Sequence, residues 1–121
     1  MKLMIVDDHE GMRKKIRALL ARPNVETREY ARGEEAMRDA VEFQPDWVIM
    51  DVHLPGVNGI EATETIRSAV PRARVVMLST DDRNYLREAA RAAGAEKFLS
   101  KHHLADLPQM LYGGPASSPA A

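Results

Sequence analysis

The sequence contains no cysteine among its 121 residues, which excludes disulfide bonds, thiolate metal ligands and a cysteine nucleophile. Aromatic residues are scarce, at 5%, and there is a single tryptophan. No apolar run approaches the roughly 18 residues that a membrane-spanning helix needs. The chain also lacks a basic region followed by a signal-type apolar stretch at its start. From these absences we expect a cytoplasmic protein that does not contact a membrane.

An excess of charge of either sign is also lacking. The 17 Lys and Arg residues oppose 18 Asp and Glu residues, for a net charge of −1. Bulk charge therefore gives no reason to expect direct binding of nucleic acid by this domain. The length suits one hydrophobic core. We predict a single domain at residues 1–112, followed at 113–121 by a flexible tail or the start of a linker rich in Gly, Pro, Ser and Ala.

An apolar run at residues 47–50 ends at the carboxylate of Asp51, and the rest of the chain is arranged around it. The run has no polar alternation, which indicates a strand buried on both faces of a parallel sheet. A turn with Pro55 and Gly56 follows, and a helix opens near Gly59. An acid at the end of such a strand lies where open α/β folds bind ligands. A lone acid at this position more often caps the turn. The residues predicted to lie near Asp51 therefore decide whether it caps the turn or binds a ligand.

Strand-like segments alternate with amphipathic helical segments along the chain. Besides residues 47–50, strands are predicted at residues 2–6, 25–30, 73–79 and 97–100. A short last helix is predicted from about Leu104 to Leu111, with Asp106 as its N-cap and Pro108 early enough to be tolerated. Five strands alternating with five helices predict an α/β fold with a doubly wound parallel sheet covered on both faces.

Polar side chains stand at the carboxyl ends of four strands, which share one edge of a parallel sheet. They are Asp7 and Asp8, Asp51, Ser79 and Thr80, and Lys101. Three converging carboxylates repel one another unless a cation offsets them, and oxygen ligands favour Mg²⁺. A lysine and a hydroxyl supply donors for a tetrahedral anion. Each residue alone has an ordinary structural explanation, but together they predict Mg²⁺-assisted phosphoryl transfer to Asp51.

These motifs resemble the receiver domains of two-component response regulators, which have a CheY-like fold. The resemblance rests on Val6-Asp7-Asp8-His9, on residues 51–59, on Ser79 and on Lys101, and it covers roughly residues 1–111. It implies the strand order 2-1-3-4-5. It also implies that a sensor histidine kinase or a phosphotransfer protein is the partner, with a homodimer left open. Such a domain is a phosphoacceptor and not a conventional turnover enzyme.

The resemblance also assigns a role to each residue of the predicted site. Asp51 is the phosphoacceptor, and Lys101 pairs with the phosphoryl oxygens. Mg²⁺ is held by Asp7, Asp8, Asp51 and the backbone carbonyl of His53. Ser79 is the switch hydroxyl with Thr80 as a neighbour of the phosphate, and Phe98 matches the aromatic switch position. For Phe98, a simple place in or beside the core is an equal alternative.

Several details depart from the commonest family pattern or leave alternatives open. Thr80 is bulkier than the usual residue there, and it leaves open whether its hydroxyl or that of Ser79 faces the site, although strand register favours Ser79. His102 replaces a frequent proline. His9 and His53 lie near the site, where a transition-metal site is a weaker alternative to solvated loop histidines. The short last helix argues against dimerisation through that face.

Two other function classes remain open. One is a phosphorylation-independent interaction module with a receiver fold, for which Thr80 and the short last helix leave room. The other is a flavodoxin-like nucleotide or flavin binder, which the absence of a glycine-rich loop after the first strand disfavours. The flanking sequence is similar to the branch of receivers that often carry helix-turn-helix output domains.

Overall fold

The computed structural model describes residues 1–81 and 83–113. The predicted tail at 113–121 therefore lies outside the described residues, except for Gly113, which ends the last helical turn. The strands are β1 (Lys2–Val6), β2 (Glu26–Tyr30), β3 (Trp47–Asp51), β4 (Arg74–Ser79) and β5 (Lys97–Ser100). The α-helices are α1 (Glu10–Leu20), α2 (Gly33–Phe43), α3 (Gly59–Ala69) and α4 (Asn84–Ala93).

The five strands form one parallel sheet in the order β2-β1-β3-β4-β5. This confirms the predicted topology. β3 is central and all five of its residues are buried, as its uninterrupted apolar run predicts. In the register of the sheet Asp51 lies opposite Leu78, one position before Ser79, which itself lies opposite Ser100. The sheet therefore brings the ends of β3, β4 and β5 to one edge.

Both faces of the sheet are covered by helices, and successive strand residues supply two separate cores. Met4 and Val6 point into the core formed with α2, α3 and α4. Leu3 and Ile5 point into the core formed with α1 and the C-terminal segment. This period-2 division of a strand that is apolar from Leu3 to Val6 is what a doubly wound fold requires.

The C-terminal segment differs from the predicted short α-helix. It consists of a 3₁₀ helix at Lys101–Asp106 and a π-helical turn at Gln109–Gly113. Pro108 has no N–H to donate to the carbonyl of Leu104, and the N–H of Leu107 donates to it instead, which is the tighter 3₁₀ pattern. Asp106 ends the 3₁₀ helix and is not an N-cap. The segment still packs on the sheet, because Leu104 and Leu107 are buried.

The π-helical turn is attached to the far end of α1. The Tyr112 hydroxyl donates to the carbonyl of Leu20 at 2.7 Å, and the guanidinium of Arg22 lies 4.2 Å from the centre of the Tyr112 ring. The segment thus begins beside the carboxyl ends of the strands, at Lys101, and ends at the opposite edge of the sheet.

The start of α3 approaches the end of β3 closely. The Gly59 N–H donates to the carbonyl of Val52 at 2.9 Å, and a Cβ atom at Gly59 would lie 2.0 Å from the carbonyl oxygen of Asp51. The Asn58 side chain caps the helix by accepting from the N–H groups of Ile60 and Glu61, both at 2.9 Å. Asp51 is therefore held in place by the helix that follows it. Over the described ranges, no helix is both long enough and apolar enough to cross a membrane.

Candidate functional site

An ammonium group bridges two buried carboxylates at the carboxyl edge of the sheet. Lys101 Nζ lies 2.8 Å from Asp7 Oδ2 and 3.3 Å from Asp51 Oδ2. The side chains of Asp7, Asp51 and Lys101 are only 1%, 4% and 11% exposed. Residues from positions 7, 51 and 101 are thus brought together as the parallel topology predicts. Buried charges of this kind are stable only when they are paired.

Asp7 is fixed by contacts that the sequence patterns did not identify. Its Oδ1 accepts from the His9 N–H at 2.9 Å, and its carbonyl accepts from Arg13 Nη1 at 2.6 Å. Arg13 also binds the Glu29 carboxylate at 3.2 Å through Nε. Arg13 falls among the charged residues of the amphipathic α1, a position typical of a solvent-exposed side chain, yet its side chain is only 16% exposed. The only feature of the sequence that could have indicated these contacts is that Arg13 is a long cationic side chain at the border of the polar face of α1.

Asp51 has a perturbed acidity. Burial raises the pKa of its carboxyl group, the nearby Lys101 ammonium opposes that shift, and the Asp7 carboxylate adds to it. The N–H of His53 donates to Asp51 Oδ1 at 3.2 Å and favours the charged form. The net result is a carboxylate that is costly to keep ionised, as is common at functional sites.

We predict that Asp51→Asn is more stable than the wild type at neutral pH. A raised pKa in the folded state means that ionised Asp51 opposes folding above that pKa, and that the cost disappears as pH falls through it toward the usual range. The amide has no such cost, and Lys101 keeps its pairing with Asp7. Urea denaturation of both proteins between neutral and acid pH measures the difference. A gap that stays constant with pH would contradict this explanation.

Lys101 remains a cation despite its burial. Desolvation alone would lower the pKa of the Lys101 ammonium, but the hydrogen bond to Asp7 and the charge of Asp51 outweigh it and raise the pKa overall. The peptide bond that follows Lys101 is trans, as are all those described. The Ser100 hydroxyl accepts from the His102 N–H at 3.1 Å and begins the 3₁₀ helix. The Lys101 ammonium therefore stays charged and can donate hydrogen bonds to an anion bound at the site.

Of the two hydroxyls after β4, Ser79 is buried and Thr80 is exposed. Ser79 Oγ accepts from the Asp81 N–H at 2.9 Å. A hydroxyl that accepts one hydrogen bond still has a proton to donate. Asp81 is itself paired with Arg83, which holds the pKa of the Asp81 carboxyl at about 2. Ser79 is therefore the buried one of the two hydroxyls, and both its orientation toward the site and its role stay predictions.

Phe98 lies on β5 at the margin of the core, half buried. Its ring packs against the core beneath α2, α3 and α4, and the Arg87 guanidinium lies 4.9 Å from the ring centre. Beside it α4 and β5 enclose a groove of about 320 Å³, lined among others by Asn84 and Arg91. The structure thus fits the simple packing explanation of Phe98 and leaves its switch role untested.

Asp8, His9 and His53 surround the two buried acids on the solvent side. Asp8 is more exposed than Asp7, and its Oδ1 lies 3.3 Å from His9 Nδ1. Ligand atoms of Asp7, Asp8 and His9 all lie within 4.8 Å of one another. His53 is exposed, two positions beyond Asp51. The edge of the sheet thus contains the oxygen ligands of three carboxylates. The imidazole of His9 lies beside them and offers a nitrogen ligand.

Comparisons with known proteins agree with this geometry. The family described as "Response regulator receiver domain" matches residues 3–112. The transcriptional regulatory protein LnrK of Bacillus subtilis is 37% identical over 107 residues, which are 87% of this chain and 49% of LnrK. The chain therefore spans about half the length of the curated relatives it matches.

Solved structures show the same fold. A two-component response regulator of the LuxR family from Aurantimonas has a TM-score of 0.84 and 34% identity, and the match covers 96% of this chain and 85% of that one. The CheX–CheY–BeF3–Mg²⁺ complex from Borrelia burgdorferi has a TM-score of 0.81 and 25% identity, with coverages of 92% and 86%. Sequence, topology and site thus lead to one conclusion: the chain belongs to the response regulator receiver domain family.

Proposed function

We propose that this receiver domain accepts a phosphoryl group on Asp51, from a sensor histidine kinase or a phosphotransfer protein, and that Mg²⁺ assists the transfer. The observation that carries the proposal is the buried ammonium of Lys101 between the carboxylates of Asp7 and Asp51. A buried acid beside a second acid and a cation is a costly arrangement for a structural site. The same arrangement is well suited to bind a phosphoryl group together with the Mg²⁺ that balances its charge.

The donor set fits Mg²⁺. Asp7 and Asp51 share one ammonium and the adjacent Asp8 adds a third carboxylate, so the cluster keeps an excess of negative charge. Mg²⁺ prefers oxygen ligands and few carboxylates, and keeps part of its water. Asp7, Asp8, Asp51 and the backbone carbonyl of His53 would hold it. When bound, Mg²⁺ would neutralise charge on the phosphoryl oxygens. The Borrelia burgdorferi relative is described in complex with Mg²⁺, which supports this assignment.

The chemical step is a displacement at phosphorus by an oxygen of Asp51. A new bond forms between that oxygen and phosphorus, the bond from phosphorus to the imidazole nitrogen of the donor breaks, and its electron pair stays on that nitrogen. Lys101 would exchange part of its pairing with Asp51 for the phosphoryl oxygens. The raised pKa of Asp51 reflects a carboxylate that burial leaves poorly solvated, and which is therefore reactive when ionised.

The switch is proposed to begin at Ser79. Its hydroxyl accepts from the Asp81 N–H and has a free proton that would donate to a phosphoryl oxygen. Movement of Ser79 would pull on the segment that leads into α4. It would thereby change the shape of the groove between α4 and β5 beside Phe98. We propose this surface as the output face of the domain.

The test is intact-mass spectrometry after incubation with Mg²⁺ and acetyl phosphate. We expect the wild type to gain a single phosphoryl group only when Mg²⁺ is present, and Asp51→Asn to gain none. The double variant Ser117→Ala, Ser118→Ala is a control, because a nonspecific adduct on either serine of the tail would be lost in it. No adduct on a folded wild type that binds Mg²⁺ would favour the rival function, an interaction module that signals without phosphorylation, for which Thr80 leaves room.

A further inference from the structure

The imidazole of His9 faces the two acids of the site. His9 Nδ1 lies 3.3 Å from Asp8 Oδ1 and 3.6 Å from Asp7 Oδ1. His9 precedes α1 in extended backbone, and its N–H donates to the same Asp7 oxygen at 2.9 Å. The backbone contact fixes the position of the residue, whereas the side chain is 76% exposed. One nitrogen and two oxygen ligands thus converge from three consecutive residues.

The spacing of these atoms suits a single metal ion. Protein ligands lie about 2.0–2.2 Å from Zn²⁺ or Mg²⁺, so adjacent ligand atoms are about 3.0 Å apart in an octahedron and about 3.4 Å in a tetrahedron. The observed nitrogen–oxygen separations of 3.3 and 3.6 Å lie within about 0.2 Å of the tetrahedral value and are about 0.3 and 0.6 Å longer than the octahedral one. The three ligand atoms all lie within 4.8 Å of one another, and rotation of the exposed His9 side chain would shorten its separations from the two oxygens.

We propose that His9 is a specificity-determining metal ligand, whose nitrogen makes the acid pair prefer a first-row transition cation such as Mn²⁺ over Mg²⁺. The inference rests on the proposed metal site. Mg²⁺ is a hard ion that takes oxygen ligands, whereas imidazole binds transition metals well. Because His9 is exposed, it can turn away and leave the oxygen ligands to Mg²⁺. The same acids then serve either ion, and His9 adds affinity only for the transition metal.

The test must distinguish a nitrogen ligand from His9 from one supplied by another histidine. The chain has four histidines, at positions 9, 53, 102 and 103. His53 is exposed near Asp51 and is the rival source of a nitrogen ligand. His103 is exposed two residues after Lys101, and its replacement is a matched control. Asparagine is the replacement in each case, because it keeps a ligand oxygen and removes the ring nitrogen.

The experiment measures Mn²⁺ affinity from the electron paramagnetic resonance signal of free Mn²⁺, and Mg²⁺ affinity by competition. For His9→Asn we expect the ratio of Mn²⁺ to Mg²⁺ affinity to fall at least about tenfold, the lower end of what a supporting group of a metal site contributes. Pulsed spectra of the Mn²⁺-bound wild type are expected to show nitrogen coupling that His9→Asn loses and His103→Asn retains.

The outcomes separate this inference from the proposed function. If both cations bind but His9→Asn leaves the ratio unchanged, the His9 inference is wrong and the Mg²⁺ site stands. Nitrogen coupling that disappears in His53→Asn instead would assign the ligand to His53 and overturn the inference. If neither cation binds the folded wild type, both the inference and the proposed metal site fail.

Discussion

Lys101→Met is expected to lower the free energy of unfolding by about 3 kcal/mol, the low end of what breaking a buried ion pair costs. The variant leaves the carboxylates of Asp7 and Asp51, 1% and 4% exposed, without their shared cation. Methionine preserves the volume of the stem, so the loss reports charge and not packing. We also expect phosphorylation of Asp51 to slow at least about a hundredfold, the effect of removing one donor to a developing anion.

Urea denaturation and the time course of adduct formation, both on folded protein, measure the two effects of Lys101→Met. Lys14→Met is the matched control, because Lys14 forms an exposed pair with Glu10 at 3.8 Å, and such pairs contribute about 0.5 kcal/mol or less. Mg²⁺ should stabilise Lys101→Met more than the wild type, since it can replace the lost cation. Equal stability of the wild type and Lys101→Met without Mg²⁺ would show that the acids do not depend on Lys101.

Gly59→Ala is expected to destabilise the domain by at least about 3 kcal/mol, at or above the upper end of what most single substitutions cost. Its Cβ would lie 2.0 Å from the carbonyl oxygen of Asp51 and 2.9 Å from the Val52 Cα. Both obstacles are backbone atoms, so no side-chain rotation relieves the conflict. Either α3 moves away from β3 or the backbone of Asp51 moves. We therefore expect phosphorylation to be impaired even where the variant stays folded.

The control for Gly59→Ala is Gly11→Ala, which makes the same chemical change at another helical position. Nothing lies within 4 Å of a Cβ atom at Gly11, on α1. Alanine there should stabilise the domain by about 0.5–1 kcal/mol, because it restricts the unfolded chain and favours the helix. Urea denaturation of both variants gives the comparison. Similar losses in the two would mean that the close approach at Gly59 does not determine the cost.

Sequence patterns predicted most of the architecture because they reflect burial. The apolar run before Asp51 needs two covered faces, and such strands are parallel. Once the strands are parallel, their carboxyl ends meet, so the convergence of Asp7, Asp51 and Lys101 follows from topology. The order of the strands came from the family resemblance, since periodicity does not determine which strand lies beside which.

The features that were missed depend on contacts between distant segments. Arg13 has the position and charge of a surface residue on α1, and only the neighbouring β2 strand, which carries Glu29, draws it inward. Pro108 looked tolerable as an early helix residue, but the helical segment begins at Lys101, kinks at His103 and becomes a π-helical turn just after Pro108. Helix position determines what a proline does, and a local pattern does not reveal where a helix begins.

The attachment of Tyr112 to the end of α1 places the end of the C-terminal segment far from the acidic site. Tyr112 lies beside Leu20, whereas under the proposed function a phosphodonor would have to reach Asp51 at the opposite edge of the sheet. A donor protein bound at Asp51 would then lie at the opposite pole of the domain from Leu20 and Tyr112, and would leave both uncovered. Communication between the poles would run along the C-terminal segment itself, which has Lys101 at one end and Tyr112 at the other.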